Sequence, residues 1–151
     1  MKLNRLHRPL LLAAATALFA ISPGKTGLAQ DFTNHTYQVV PGTFTWRQAR
    51  ADAQSRGGHL ATITSQAEYN YIRSLGVLPS ASYWLGATDE ENEGVWAWVT
   101  GEPWSFTAWA AGEPNNLGNE DYLLSSGNPD NHFWNDWGSV TGRFFRLREV
   151  P

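Results

Sequence analysis

The stretch Tyr83-Trp84-Leu85-Gly86-Ala87 lies between two halves of the chain that differ in character. Its short apolar and aromatic run is typical of a buried β-strand. The residues before it predict a strand, a helix, a short β-branched segment and a second helix. The residues after it predict short strands and long loops, with no convincing helix. The two halves therefore differ in their predicted secondary structure.

Two helix starts are predicted in the first half. Thr45 is followed three residues later by Gln48, and Ser65 by Glu68, the spacing of a capping box. The apolar faces of the two helices follow from a period of 3.6 residues. They are Trp46, Ala49 and Ala53 on the first helix, which Gly57 ends, and Tyr71, Ile72 and Leu75 on the second, which Gly76 ends.

Strands are predicted over residues 35–40, 59–64, 83–87, 95–99, 122–124 and 144–150. In residues 95–99 the side chains alternate, with Trp96 and Trp98 on one face and Val95, Ala97 and Val99 on the other. We expect Trp46, Trp84, Trp96 and Trp98 to lie in the core. Residues 100–121 form a predicted loop rich in Gly, Pro and Asn, and loops of that length in compact domains are usually functional.

Composition narrows the class of protein. The chain has 151 residues, 42% of them hydrophobic and 13% aromatic, which suits one globular domain. It has no cysteine, which excludes disulfides, thiolate metal ligands and a cysteine nucleophile. The formal net charge is −3 and there is no basic cluster. Nucleic acid and anionic membrane surfaces are therefore not expected partners.

Residues 1–29 have the pattern of a secretory signal peptide. Basic residues Lys2, Arg5 and Arg8 precede an apolar run over residues 10–21, and small residues end at Ala29. We expect residues 30–151 to be the mature domain, in a secreted, periplasmic or cell-surface location, with a net charge of −7. A retained membrane anchor is the less favoured alternative, since a spanning helix needs about 20 apolar residues.

The second half is rich in acids without counter-cations. From Ser74 to Gly142 there is no Lys or Arg, whereas ten acidic residues lie there, several in loops with Asn and Gly. Carboxylate and amide oxygens are the ligands that Ca²⁺ prefers. A solvated acidic face is the alternative, and composition leaves both open. Residues 89–94 lack EF-hand spacing, and zinc is disfavoured because Cys is absent and the His residues are not paired.

Four motifs occur in the order and spacing of a known family. Residues 57–63 resemble its first helix exit, Trp84-Leu85-Gly86-Ala87 its core strand, Glu113-Pro114-Asn115 its sugar-site tripeptide, and Trp134-Asn135-Asp136 its second ligand motif. The chain therefore resembles a C-type lectin-like domain over roughly 110 residues. The resemblance implies an α+β double-loop fold, in which two helices flank small antiparallel β-sheets, the terminal strands pair and a long loop carries the ligand site.

The resemblance also implies Ca²⁺ as the cofactor and a set of ligands. The principal site maps to Glu113, Asn115, Glu120, Asn135 and Asp136, and an auxiliary, weaker site maps to Asp89, Glu93, Asn116 and Asp121. The same five principal residues would bind the sugar, through two vicinal hydroxyls that coordinate the ion. A cis Glu113–Pro114 bond is expected. The order Glu-Pro-Asn favours mannose, glucose or N-acetylglucosamine over galactose.

The chain departs from the family where cysteines are usual. Those positions are Ala53, Tyr122, a residue near Ser139, and Arg148. All the family's disulfides are therefore missing, as is common in bacterial members.

Three classes of function follow from these patterns. The leading one is a calcium-dependent carbohydrate-binding module whose weak single site needs several copies, for example an oligomer, for avidity. The second is a lectin-like protein-binding module with structural calcium or none. The third, a two-carboxylate glycosidase, lacks a catalytic motif, and we do not expect an enzyme.

Four residues near the motifs have a structural and a functional interpretation. Trp109, Phe133 and Trp137 could stack on a sugar ring, but packing in the core or loops is favoured. His132 is expected to be an exposed loop residue and not a ligand.

Overall fold

The computed structural model describes residues 35–75, 78, 80–128, 131–139 and 145–150, which belong to one compact unit. The elements in chain order are β1 (Thr36–Val40), α1 (Trp46–Ser55), β2 (His59–Leu60), α2 (Gln66–Ser74), β3 (Tyr83–Thr88), β4 (Ala97–Trp98), β5 (Tyr122–Ser125), β6 (Trp134–Trp137) and β7 (Phe145–Val150). The α+β class is confirmed. The predicted signal peptide lies outside the described residues.

Helix α1 forms as its sequence predicts. The Thr45 side chain accepts a hydrogen bond from the Gln48 backbone, and the Gln48 side chain accepts one from the Thr45 N–H, 2.9 Å away. Its buried residues are Trp46, Ala49 and Ala53. The Trp46 indole N–H donates to the Leu85 carbonyl at 2.7 Å, which fixes the helix against β3.

Only half of the second capping box forms. Ser65 Oγ accepts from the Glu68 N–H at 3.1 Å. The Glu68 carboxylate, however, accepts from the Thr64 N–H and from the Tyr37 hydroxyl, both at 2.7 Å. Glu68 is buried, and these donors stabilise its charge there while joining α2 to β1.

The buried face of α2 is also rotated from the predicted one. It consists of Glu68, Tyr69 and Ile72, whereas Tyr71 is half-buried and Leu75 is 37% exposed. The hydrogen bond from the Tyr37 hydroxyl of β1 to the Glu68 carboxylate keeps Glu68 on the buried face of α2. Gly76, the predicted helix end, lies outside the described residues.

The strands form one sheet in the order β1-β7-β3-β5-β6, with β2 paired to β7 and β4 paired to β3. The pairing of β1 with β7 confirms the expected contact between the terminal strands. The pair β3–β7 is parallel, and every other strand pair is antiparallel. The antiparallel sheet expected from the family is therefore interrupted once, at its centre.

Two predicted strands are shorter than expected, and one strand was not predicted. Residues 59–64 pair only at His59–Leu60, and residues 95–99 only at Ala97–Trp98. Strand β6 has the sequence Trp-Asn-Asp-Trp, whose polar centre conceals its β-strand character. It forms because its backbone pairs with β5 in register from Tyr122–Trp137 to Ser125–Trp134.

The core consists of two clusters. The first is centred on Trp96, Trp98 and Trp134, against which Trp104 and Trp109 pack. Ring centroids in this group lie between 4.7 and 6.3 Å apart. The expected burial of four tryptophans is confirmed, since the exposed fractions of Trp46, Trp84, Trp96 and Trp98 are 1, 0, 7 and 3%.

The second cluster includes two positions where the family usually has cysteine. Ala53 is fully buried and Tyr122 is 2% exposed. The Trp46 ring stacks on Tyr122 with centroids 5.0 Å apart and an interplanar angle of 25°. Aromatic packing therefore joins α1 to β5 without a covalent bond. Among the described helices, neither is long and apolar enough to cross a membrane.

We predict that Gly86→Ala destabilises the fold. A Cβ at this position in β3 would lie 2.5 Å from the Leu60 carbonyl oxygen and 3.0 Å from Val99 Cγ2. Backbone on one side and a packed side chain on the other leave little room to relax, so we expect a loss of about 1–3 kcal/mol in the free energy of unfolding.

The matched control is Gly138→Ala, whose added Cβ would lie 3.5 Å from its nearest neighbour, the Asn119 carbonyl oxygen. We expect it to change the free energy of unfolding by less than about 0.5 kcal/mol. Urea denaturation of both variants in metal-free buffer makes the comparison. Equal losses in the two variants would contradict the close packing of β3 on β2.

Candidate functional site

The candidate site lies where the loop over residues 113–121 meets strand β6. The Glu113–Pro114 peptide is cis, as predicted. Asn116 and Asn119 have left-handed backbones, with φ of 48° and 74°, and Gly118 has φ of 85°. Asn and Gly are the residues that adopt this region at least cost, so the composition of the loop matches its shape.

The Asp136 carboxylate holds this loop onto the sheet. Oδ1 accepts from the Asn115 N–H at 3.1 Å, and Oδ2 accepts from the Asn116 N–H at 2.6 Å. Asp136 is 1% exposed. An ionised carboxylate has about four lone-pair directions, so both oxygens retain capacity to accept a further partner.

Hydrogen bonds within the loop shape the rest of the site. The Leu117 N–H donates to Asn115 Oδ1 at 2.8 Å and to Glu120 Oε2 at 3.1 Å. The Glu120 N–H donates to Asn116 Oδ1 at 2.8 Å. The predicted principal residues Glu113, Asn115, Glu120 and Asp136 are thus brought to one loop and the strand beside it, and Asn135 precedes Asp136 in β6.

Two of these residues have buried oxygens without a hydrogen-bond donor. Within the described part of the chain, Glu113 Oε2 and Asn135 Oδ1 accept no hydrogen bond. Buried acceptors without partners are rare and costly, and they commonly mark a missing water or ion. Both atoms are oxygens, the ligand type that suits a hard cation such as Ca²⁺.

The carboxylates of the site repel one another. Burial raises the pKa of Glu113, and the neighbouring carboxylates of Asp136 and Glu120 raise it further. Burial and Asp136 likewise raise the pKa of Glu120. No cation from the sequence between residues 74 and 142 is available to neutralise them. The donor set therefore fits a divalent cation in chemistry and in charge.

The geometry is not that of a tightly closed metal cluster. Over the described ranges, no three Asp, Glu or His side chains are close enough together to hold a metal by themselves. Two of the five principal candidates are Asn residues, which contribute neutral oxygens. Bound Ca²⁺ would be held by Glu113, Glu120 and Asp136 together with the Asn115 and Asn135 side chains.

The predicted auxiliary residues are only partly brought together. The Asp89 N–H donates to the Asp121 carbonyl at 3.2 Å, and Asp89 Oδ1 is a buried acceptor without a donor. Burial raises the pKa of Glu93, and the nearby carboxylates of Asp89 and Asp121 raise it further. Asn116 Oδ1 and Asp121 Oδ2 already accept hydrogen bonds from the Glu120 N–H and the Asn119 side-chain amide.

The prediction that His132 is exposed is wrong. His132 is 6% exposed, because the β5–β6 turn packs its ring against Tyr83 with centroids 6.0 Å apart. Phe133 is 42% exposed, so it does not lie in the core, and its packing within the loop stays a prediction. Trp109 and Trp137 pack against the first and second core clusters, as predicted.

Leu117 is a feature that the sequence analysis missed. It lies between the candidate ligands and is 79% exposed, compared with 57% for Val95 and 42% for Phe133. The signal for it is a single apolar residue in the run Asn115-Asn116-Leu117-Gly118-Asn119, where a polar residue would be usual.

Comparison with known proteins identifies a family. The family model described as Lectin C-type domain matches residues 43–139, which are more than half of the chain. Two curated relatives are the human C-type lectin domain family 17, member A, which is 38% identical over 90 residues, and the hepatic lectin of Gallus gallus, which is 36% identical over 110 residues. These alignments cover 60% and 70% of this chain, but only 24% and 50% of the relatives. The chain therefore spans between a quarter and a half of their length.

Solved structures agree in fold. The carbohydrate-recognition domain of cow CD23, in a structure with a GlcNAc2Man3 oligosaccharide, has a TM-score of 0.69 and 25% identity over 76% of this chain and 86% of that one. A calcium-independent type II antifreeze protein has a TM-score of 0.67 and 23% identity over 76% of this chain and 85% of that one. At this identity the match shows a shared fold and nothing about function. The chain belongs to the C-type lectin domain family.

Proposed function

We propose that this domain binds carbohydrate through a Ca²⁺ ion held by Glu113, Asn115, Glu120, Asn135 and Asp136. The observation that carries the proposal is the pair of buried, donor-free oxygens on Glu113 and Asn135 beside the Asp136 carboxylate. A divalent cation would satisfy these oxygens and relieve the repulsion among the acids.

When bound, the ion supplies open coordination positions for two neighbouring sugar hydroxyls. The residues of this chain then orient those hydroxyls. A Glu carboxylate accepts a hydrogen bond from a hydroxyl, and an Asn amide donates one to it. The order of Glu113 and Asn115 sets which hydroxyl faces the acceptor and which faces the donor, and we propose a preference for mannose, glucose and N-acetylglucosamine on this basis.

The shape of the loop supports a shallow site at its tip. Leu117, Asn115 and Asn116 are exposed, and the loop rests on a strand that belongs to the sheet. Leu117 offers an apolar surface for the sugar ring next to the ion. Such a site contacts one monosaccharide weakly, so several domains in an oligomer would be needed for strong binding to mannose-type glycans. Export by residues 1–29, as a secreted or surface protein, would expose the domain to such glycans.

The competing function is a protein-binding module with structural calcium or none. One observation favours it: both oxygens of Asp136 already accept backbone N–H groups, so the loop has a defined structure without an ion. A glycan array run with calcium and again with a chelator separates the two functions. The proposed lectin binds glycans only with calcium, whereas the alternative binds none in either condition.

We predict that calcium raises the melting temperature of wild type and that Glu120→Gln reduces this shift. Binding to the native state alone stabilises it by about 2.7 kcal/mol when free calcium is a hundredfold above Kd. Asp136→Ala should abolish the shift and also lower the melting temperature without calcium, because it removes two hydrogen bonds to the loop. Differential scanning calorimetry measures both effects.

The charge-matched control for Glu120→Gln is Glu91→Gln, an exposed acid outside the proposed principal ligands. It should keep the wild-type calcium shift. An equal reduction in both variants would indicate a general effect of net charge, and it would contradict a specific ion at Glu120.

We predict that the metal-free protein becomes less stable as pH rises through the carboxylate range. The pKa values of Glu113 and Glu120 are raised in the folded state above their ordinary value of 4.5, so the native state retains protons that the unfolded chain has lost. This contribution is fully present below 4.5 and is lost as pH rises through the raised pKa values. Melting temperatures from pH 4 to 7 in a chelator measure it.

The variant Glu113→Gln, Glu120→Gln should show a shallower decline over the same pH range, and saturating calcium should oppose the decline in wild type at pH 7. Identical pH profiles for wild type and the double variant would contradict mutual repulsion at this site.

We predict that the double variant Glu113→Gln, Asn115→Asp changes sugar preference while retaining calcium. The exchange keeps one carboxylate and one amide but reverses the order of acceptor and donor. Mannose binding should fall relative to galactose, because unmatched hydroxyl partners cost about 1–3 kcal/mol. Competition by free sugars on a mannose column measures the ranking. A variant that binds calcium and keeps the wild-type ranking would disprove the assignment of Glu113 and Asn115.

A further inference from the structure

The β5–β6 turn over residues 126–133, of which 129 and 130 lie outside the described residues, holds a buried histidine. His132 is 6% exposed, and its ring lies against Tyr83 of β3 with centroids 6.0 Å apart. Its backbone is left-handed, with φ of 47°. Such a backbone is uncommon outside glycine and persists where surrounding contacts hold it. Tertiary packing therefore fixes the position of this ring.

Two hydrogen bonds close the turn where it joins the strands. The Ser125 hydroxyl donates to the His132 carbonyl, and the Ser126 N–H donates to the Phe133 carbonyl, both at 2.8 Å. The pairing of β5 with β6 begins at this point, so loss of the turn would loosen the adjoining end of β6. That end carries Asn135, one of the proposed ligands.

The surroundings of the ring favour the neutral imidazole. Nδ1 of His132 is buried and has no hydrogen-bond partner among the described residues. An imidazolium carries an N–H on both ring nitrogens, so protonation would leave a buried donor without an acceptor. Burial lowers the pKa of His132, and the charge of Arg73 lowers it further, whereas a hydrogen bond with the Ser126 backbone acts in the opposite direction.

The other titratable groups described around the turn carry no negative charge that would offset a charge on His132. The Tyr69 hydroxyl of α2 donates to the backbone of the turn, and Tyr83 contacts the ring. Burial raises the pKa of both tyrosines, so both stay neutral. Arg73 adds positive charge from the last turn of α2, where its guanidinium carbon lies 5.5 Å from the centre of the Tyr69 ring. Asp130 of the same turn lies outside the described residues.

A cavity beside the histidine gives a displaced ring access to water. It has a volume of about 330 Å³ and is lined by His132 together with Asn70, Arg73 and Ser74 of α2. A charged ring is better solvated by water in this space than in its buried position, where the charge has no partner.

We propose that His132 is a pH-sensitive switch, neutral in the closed turn, whose protonation opens the β5–β6 turn and weakens the binding of ion and sugar at β6. The part that concerns ion and sugar rests on the proposed lectin function. The folded-state pKa of His132 is below its ordinary value of 6.5, so the neutral ring stabilises the turn above pH 6.5. This contribution is lost as pH falls through the lowered pKa.

Hydrogen exchange in a chelator tests the switch without calcium or sugar. The probe is the Ser126 amide, whose acceptor is the Phe133 carbonyl. Between pH 7.5 and 5.5 the ratio of open to closed turn, corrected for intrinsic exchange, should rise by up to about tenfold, because a histidine of pKa 6.5 gains about that factor in proton binding. The raised pKa values of Glu113 and Glu120 act in the opposite direction, so variants are compared with wild type at each pH.

Two variants locate the effect. His132→Asn tolerates a left-handed backbone but does not titrate, and it should remove the rise in opening. His59→Asn changes a histidine of β2 and should keep the wild-type rise. An equal rise in wild type and His132→Asn would overturn the proposal. NMR titration of the ring protons of His132 in wild type needs no variant, and a pKa of 6.5 or above would also overturn it.

The coupling to the proposed site is measured as calcium-dependent mannose affinity at pH 7.5 and 5.5. The affinity should fall by up to about tenfold more in wild type than in His132→Asn. An equal fall would overturn the coupling. Absence of binding by either protein at pH 7.5 would overturn the lectin function and the coupling with it, whereas exchange and ring titration would still decide whether the turn is a switch.

Discussion

The two hydrogen bonds from the Asn115 and Asn116 amides to the Asp136 carboxylate are the contact on which the candidate site depends. They place a charged, 1% exposed group of the sheet beneath a long loop. The bonds offset the cost of burying the charge, since hydrogen bonds to an ionised group are the stronger kind. The same carboxylate raises the pKa of Glu113 and Glu120. One residue therefore fixes the position of the loop and also places negative charge beside Glu113 and Glu120.

The sheet that supports that contact is held by strand pairing and aromatic packing, and the chain has no cysteine for a disulfide. Strand β6, which carries Asp136, pairs with β5, and β5 is tied to α1 by the stacking of Trp46 on Tyr122. Trp134, two residues before Asp136, is fully buried among other tryptophans. Large aromatic side chains bury much area per residue and pack in specific geometries, so they can order a domain that lacks covalent cross-links.

Charge is segregated along the chain, and the proposed site lies in the acidic part. The acids between residues 74 and 142 have no cation in the same stretch. At the 113–121 loop, Asp136 raises the pKa of Glu113 and Glu120, and the proposed Ca²⁺ would offset the repulsion among these acids. The acidic part is also joined to α1, because Arg47 pairs with Glu90 of the β3–β4 turn.

The sequence by itself determined the features that depend on local patterns. Capping residues and apolar spacing located α1, alternation identified the buried faces of Trp96 and Trp98, and the spacing of the Glu-Pro-Asn and Trp-Asn-Asp motifs indicated the family and the candidate ligands. The predictions of α1, of the buried tryptophans and of the family are confirmed, because each signal lies within short segments of the sequence, whereas the ligand assignment stays a prediction.

Only the tertiary structure decided the features that depend on partners distant in sequence. The Glu68 carboxylate accepts a hydrogen bond from the Tyr37 hydroxyl, 31 residues away, and does not cap its own helix as predicted. His132 became buried because the β5–β6 turn brought it to Tyr83, and the polar segment Trp134–Trp137 became a strand because β5 lay beside it. In each case the contact free energy comes from a partner that local sequence does not specify, so packing, and not propensity, selected the outcome.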